Sequence, residues 1–81
     1  MDSPITRIRE ENDMTPSELA QAAGISHNTI WRVEKGRRKS IPDGLLDLLD
    51  EAGYAVESLK KRQVEYFELQ RRKATDKLIK S

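Results

Sequence analysis

Asn28 and Arg32 stand four residues apart in a basic stretch of this sequence, and their side chains suit one kind of chemistry. An asparagine amide pairs a donor with an acceptor and can bridge adenine N6 and N7. An arginine fork can bridge guanine O6 and N7, and each such pair discriminates by about 1–3 kcal/mol. Residues 26–40 also hold Lys35, Arg37, Arg38 and Lys39 against the single acid Glu34, a local charge of +4. Catalytic chemistry has little to work with. The chain has no cysteine and one histidine, which excludes disulfides, thiolate nucleophiles and zinc sites built from cysteine or histidine. Ser26 and His27 are adjacent and cannot form a nucleophile–base relay, and no glycine-rich phosphate loop occurs. The expectation is a protein that is not an enzyme, with no cofactor and no metal.

Length and composition narrow the rest. A chain of 81 residues makes one small domain. Such a domain buries only about 60–65% of its unfolded surface, too little for a deep substrate cavity. Charged residues and the apolar set contribute 36% each, an apolar share that is low but not that of a disordered chain. Apolar runs never exceed three residues, so nothing is expected to span a membrane. Without a signal-peptide pattern, the expected location is the cytoplasm. The net charge of +1 conceals segregation: −3 over residues 1–25, +4 over 26–40, −5 over 41–57 and +5 over 58–81. Such alternation is either a set of solvated faces or a polyanion-facing surface on an otherwise acidic protein.

The elements that would position these side chains are marked by local punctuation. Ser3-Pro4 reads as an N-cap and first helical residue, opening a short helix with Ile5 and Ile8 that ends near Asn12-Asp13. Thr15-Pro16-Ser17-Glu18 is a capping box with proline at its first helical position. Leu19, Ala20 and Ala23 share one face of that helix, and Gly24 stops it. Ser26 caps a third helix with Ile30 and Val33 inward, ended by Gly36. Pro42 and Asp43 open a fourth, striped by Leu45, Leu48, Leu49 and Ala52 and closed by Gly53, with Gly44 lowering its propensity. Residues 54–81 contain neither glycine nor proline. This predicts a long charged helix of roughly 30 Å, preceded by a short extended piece within residues 54–59. The expected fold is all-α, a compact four- to five-helix domain with an extended C-terminal helix.

Two short helices joined by a three- to four-residue turn with glycine form a helix-turn-helix. Close packing of the pair needs a small residue inside the first helix, which Ala20 supplies, and a glycine at the turn, Gly24. Ile30 is the β-branched lock on the second helix, and Leu19, Ala23, Ile25 and Val33 fill the other inward positions. Residues 15–38, TPSELAQAAGISHNTIWRVEKGRR, resemble the helix-turn-helix of the lambda-repressor/Cro-like (Xre) regulators. The resemblance extends more weakly over residues 5–59.

It implies a repressor-type DNA-binding domain over residues 1–59 whose third helix, residues 26–35, enters the major groove. With Ile30 and Val33 inward, His27, Asn28, Trp31, Arg32 and Lys35 turn outward on one stripe. His27, Asn28 and Arg32 match the positions of the family's base-reading side chains. For His27, base contact and plain solvation both stand. Trp31 either stacks on sugar and thymine methyl or leans back onto the core. Ser26, Thr29 and the backbone N–H groups at the helix start suit phosphate, and Arg37, Arg38 and Lys39 are expected along the phosphate backbone. Glu34 matches an acid that the family pairs with a first-helix arginine, which assigns Arg9 and Glu34 a structural ion pair. Two departures stand out. The family opens its second helix on a phosphate-binding glutamine where this chain has Pro16, leaving Thr15 as a partial replacement. Its fifth helix opens on a Ser-type cap where this chain has Ala55.

Residues 60–81 lie beyond that family core. Val64, Phe67, Ala74 and Leu78, with Arg71 in one seam position, form an imperfect heptad stripe, and Leu59 and Tyr66 lie on a neighbouring strip. The stripe favours a dimerisation helix using Val64, Phe67 and Leu78. A helix folded back on the core and a solvated tail are the alternatives, and Leu46 offers a competing dimer surface. The clusters Lys60-Lys61-Arg62 and Arg71-Arg72-Lys73 add non-specific phosphate attraction in each case. On the dimerisation reading, deleting residues 62–81 leaves a folded monomer. The function expected is a sequence-specific transcriptional regulator, of phage or mobile-element repressor type, binding double-stranded DNA at an inverted repeat as a homodimer. The rival class is a protein-interaction module, an antirepressor or an antitoxin with a toxin partner. A steep fall of DNA affinity with salt separates the two.

Overall fold

Each of the first three helices starts where a side chain satisfies amides that lack a partner in the first turn. Ser3 opens α1 (Pro4–Glu11), its hydroxyl accepting from the Ile5 N–H at 3.2 Å. Thr15 opens α2 (Pro16–Ala23) reciprocally: the Glu18 N–H donates to the Thr15 hydroxyl at 3.1 Å, and the Thr15 N–H donates to the Glu18 carboxylate at 2.8 Å. Ser26 caps α3 (His27–Glu34) by accepting from the Thr29 N–H. Pro42 precedes α4 (Asp43–Glu51) with no side-chain cap, and α5 (Val56–Lys80) runs for 25 residues. The computed structural model describes residues 2–80, which contain five helices and no strand. Ser81, the end of the predicted C-terminal segment, lies outside the described residues.

One core joins all five helices. It is built from Ile5, Leu19, Ala20, Ala23, Ile30, Val33, Ile41, Leu45, Leu49 and Leu59. Gly24, left-handed at φ 70°, ends α2 and turns the chain, so that α3 packs across α2 with Ala20 only 3% exposed. The inward stripe of α4 is narrower than its sequence pattern. Leu45 and Leu49 are buried, Leu48 is half-buried and Ala52 is exposed, while Leu46, read as an outer residue, is half-buried against the core.

α5 departs most from the sequence reading. The extended piece expected within residues 54–59 shrinks to Tyr54 and Ala55, and the helix passes residue 60 without a break. Its inward strip is Leu59, Gln63 and Tyr66, at 4%, 0% and 7% exposure. The stripe of Val64, Phe67 and Leu78 is not the buried one: Val64 and Leu78 are exposed and Phe67 is half-buried.

Gln63 explains the choice. Its Nε2 donates to the carbonyls of Val33 at 2.9 Å and Arg38 at 3.0 Å, and its Oε1 accepts from the Ser3 hydroxyl at 2.9 Å. The Tyr66 hydroxyl donates to the Glu34 carbonyl at 3.0 Å. Burial, reinforced by the charges of Asp2 and Glu34, pushes the Tyr66 phenol above its ordinary pKa, which keeps the proton on this donor. Val33 and Glu34 close α3, and the last carbonyls of a helix lack partners within it. The Gly36 N–H and Gln63 serve the Val33 carbonyl, and Tyr66 of α5 serves that of Glu34. The packed domain therefore extends past residue 59, and a chain lacking residues 62–81 loses part of its core, contrary to the expectation of a folded monomer.

Gly36 shows how closely α5 approaches α3. Its φ is 72°, and a Cβ there would lie 2.6 Å from Gln70 Cγ and 3.0 Å from the Tyr66 ring. Gly36→Ala thus combines left-handed backbone strain with displacement of the Gln70 side chain and the Tyr66 ring, an expected loss of roughly 2–4 kcal/mol. Denaturant unfolding measures it, and a loss under about 1 kcal/mol would contradict the tight α3–α5 approach.

Candidate nucleic-acid interface

Burial divides α3 into two faces. Ile30 and Val33 are at 0% exposure, whereas His27, Asn28, Trp31, Arg32 and Lys35 are exposed, the alternation of a helix half sunk into a core. The side chains of Asn28 and Arg32 have no hydrogen-bond or ion-pair partner among the described residues. Their donors and acceptors are free for a ligand. His27 has its Nδ1 3.4 Å from the Ser17 hydroxyl of α2, which leaves Nε2 uncommitted. Trp31, 45% exposed, stays on the surface, with the Arg37 guanidinium 5.8 Å from its ring centroid, inside cation–π range.

The residues read as phosphate ligands are less uniform. Ser26 and Thr29 join their hydroxyls at 2.8 Å, so both are engaged in capping α3, and Thr29 is half-buried. Thr15 is exposed, but its N–H and its acceptor lone pair serve the α2 cap, which leaves the hydroxyl proton. The basic run after α3 also splits. Arg37 covers Trp31; Arg38 is half-buried with Nε 3.4 Å from the Ser40 hydroxyl; Lys39 lies 3.7 Å from Glu68 on α5. That last pair is exposed on both sides and contributes little. Of the three, Arg37 alone adjoins the exposed face of α3 through a ring contact.

The supporting ion pair sits behind α3. Arg9 Nε lies 3.1 Å and 3.0 Å from the two carboxylate oxygens of Glu34, and Nη2 lies 2.9 Å from Oε1. Arg9 Nη1 also donates to the Met14 carbonyl, and the Thr6 hydroxyl donates to Glu34 Oε1, both at 3.0 Å. Hydrogen bonding to Glu34 pushes the Arg9 pKa above its ordinary value, so the guanidinium keeps its proton. One arginine thereby ties the end of α3 to α1 and to the turn before α2. Bidentate pairing fixes direction as well as distance.

Gln63 is the positioning residue that periodicity missed, and Tyr66, read only as part of a neighbouring apolar strip, is the second. Both act over long sequence separations, and no local signal marks a glutamine as a helix-end cap for another helix. Among the described residues no cluster of histidine, aspartate and glutamate is placed to hold a metal ion. No described helix is long and apolar enough to cross a membrane.

Searches of curated proteins and of solved structures gave no match. A family model described as a helix-turn-helix domain matches residues 5–60, which run from α1 into the start of α5 and include the capped α2, the Gly24 turn and the exposed face of α3. The chain belongs to the helix-turn-helix domain family, a DNA-binding regulatory class.

Proposed function

We propose that this chain is a sequence-specific transcriptional regulator of the lambda-repressor/Cro-like (Xre) type, a phage or mobile-element repressor with α3 in the major groove. The observation that carries the reading is the exposed, uncommitted pair Asn28 and Arg32, one helical turn apart on the outer face of α3. His27, Trp31 and Lys35 flank that pair. Thr15, Ser26, Thr29, Arg37, Arg38 and Lys39 serve the phosphates around it. Residues 1–59 carry the reading surface, and within residues 60–81 the face of Val64, Phe67 and Leu78 serves pairing.

A homodimer on an inverted repeat completes the scheme, because two α3 helices about 34–36 Å apart meet successive major grooves on one face of DNA. The exposure of Val64 and Leu78 beside half-buried Phe67 on α5 supports pairing there. Sedimentation reads the oligomer directly.

Selection of duplexes from a random pool tests the function. On the selected duplex, Asn28→Ala and Arg32→Ala are each expected to cost about 1–3 kcal/mol, with much smaller losses on a scrambled duplex. Equal losses on both would make these residues phosphate ligands. A pool with no enriched duplex would overturn the reading in favour of a protein-interaction module.

A further inference from the structure

The face of α5 that packs on the domain continues beyond it. Leu59, Gln63, Tyr66, Gln70, Lys73 and Lys77 follow at alternating four- and three-residue intervals, which places them on one strip of the helix. Leu59, Gln63 and Tyr66 are buried, Gln70 lies against Gly36 at the end of α3, and residues 71–79 are exposed. Past Gln70 the strip changes from buried to basic while the helix keeps its direction.

An open cleft of about 770 Å³ results, between the C-terminal turn of α3 and the overhanging half of α5. Trp31, Lys35 and Arg37 line one wall; Arg71, Lys73 and Lys77 line the other, with Asp76 as the one acid in the lining. Five cations around one carboxylate repel each other, and an anionic occupant relieves that repulsion. This strip is not the one proposed for pairing, which runs through Val64, Phe67 and Leu78 beside it. A solvated tail would need no strip at all. Trp31 lines both this cleft and the shallow depression that holds His27 and Asn28, so the basic walls are continuous with the exposed face of α3. Lys73 and Lys77 are about 6 Å apart along the helix, a spacing that lets flexible lysines serve successive phosphates of one strand.

We propose that this cleft holds the sugar–phosphate backbone of the duplex flanking the bases read by α3, one strand passing between the end of α3 and α5. This rests on the reading of α3 as the major-groove helix, and adds a contact that the helix-turn-helix motif itself does not contain. Arg37, already held over Trp31, arrives at the backbone with part of its conformational freedom spent.

The test uses the full-length chain and the variant Arg71→Ala/Lys73→Ala/Lys77→Ala. All three residues are exposed and follow the last buried residue of α5, and alanine favours helix, so the melting curve is expected to stay in place. Lys60→Ala/Lys61→Ala/Arg62→Ala removes equal charge from another stretch of the same helix, one that attracts phosphate only non-specifically, and serves as the control for diffuse charge. The probe is the duplex recovered from the random pool, once ending at the read bases and once extended by about one turn, about 10 bp, at each end. On the long duplex the cleft variant is expected to lower the slope of log affinity against log salt by about 2–3 units, and the control by less than about one. The advantage of the long duplex over the short one is expected to vanish only in the cleft variant. Lys77→Ala alone is expected to take about one unit from the slope, and carries the test if the triple variant melts early. Equal slopes for the two triple variants, or a cleft variant with wild-type slope and length advantage, would overturn the proposal. Failure of the α3 reading is distinct: the wild type would bind selected and scrambled duplexes equally, while the salt slopes still report on the cleft.

Discussion

A chain ending at Lys61 is expected to lose cooperative unfolding altogether, while a chain ending at Arg72 keeps it. A domain of 81 residues has a net stability of roughly 4–12 kcal/mol. The shorter chain lacks Tyr66, and loss of an aromatic side chain from a core costs about 3–5 kcal/mol. It also lacks the Gln63 amide and the Tyr66 hydroxyl, which make four long-range hydrogen bonds, each contributing about 0.5–1.5 kcal/mol net. What remains of α5 is a stub of about six residues, far below the 12–15 at which an isolated helix becomes even marginal. Leu59 then has no helix to hold it against the core. Ending at Arg72 instead spares every buried residue of α5. Gln63→Leu refines the point at full length: it keeps the volume but leaves the Arg38 carbonyl short of a donor, the Ser3 hydroxyl short of an acceptor and the Val33 carbonyl with the Gly36 N–H in place of two donors. The expected loss is at least about 3 kcal/mol. Circular-dichroism melts measure all three chains, and a Lys61-terminated chain melting cooperatively near the full-length midpoint would show that α5 is an appendage.

Ala20→Glu is expected to unfold the protein as well, by a different route. Ala20 is 3% exposed in the core shared by α2 and α3, where any longer chain forces the helices apart. A glutamate there carries both overpacking, about 1–3 kcal/mol, and a carboxylate taken from water without a partner, several kcal/mol more. Together these match most or all of the stability of the domain. Ala20→Gly is the gentle comparison: it opens no clash and costs about 1 kcal/mol of helix propensity. Denaturant melts of the pair separate packing from propensity. A stably folded Ala20→Glu chain would mean that α2 and α3 do not meet at this residue.

The first four helices were legible because their signals are local. The capping box at Thr15, Ser26 before α3 and Gly24 between them each act within a few residues, so the sequence neighbourhood contains the physics. α5 was legible as a helix and not as a packed one. Its inward strip holds Gln63 and Gln70 and then two lysines, so apolar periodicity points to the adjacent strip of Val64, Phe67 and Leu78. Only the carbonyls of Val33 and Arg38 and the hydroxyl of Ser3, all far away in the sequence, make a buried glutamine favourable. Gly44 carries the same lesson. As a residue of α4 it reads as a loss of helix propensity, whereas a Cβ there would collide with the Ala23 carbonyl of α2. The exposed face of α3 followed from the inward position of Ile30 and Val33, but the splitting of Arg37, Arg38 and Lys39 did not, because Trp31, Gln63 and Glu68 draw them or their backbone in different directions.

The central claim is that α3 reads base edges in the major groove, and a cycle between Arg32 and guanine tests it most directly. Replacing each guanine of the selected duplex in turn by 7-deazaguanine removes the N7 acceptor from the major groove and leaves base pairing intact. At one guanine the replacement is expected to cost the wild type about 1–3 kcal/mol and to cost Arg32→Ala almost nothing, because the interaction is already gone. Additive losses at every guanine of the site would contradict base reading by Arg32.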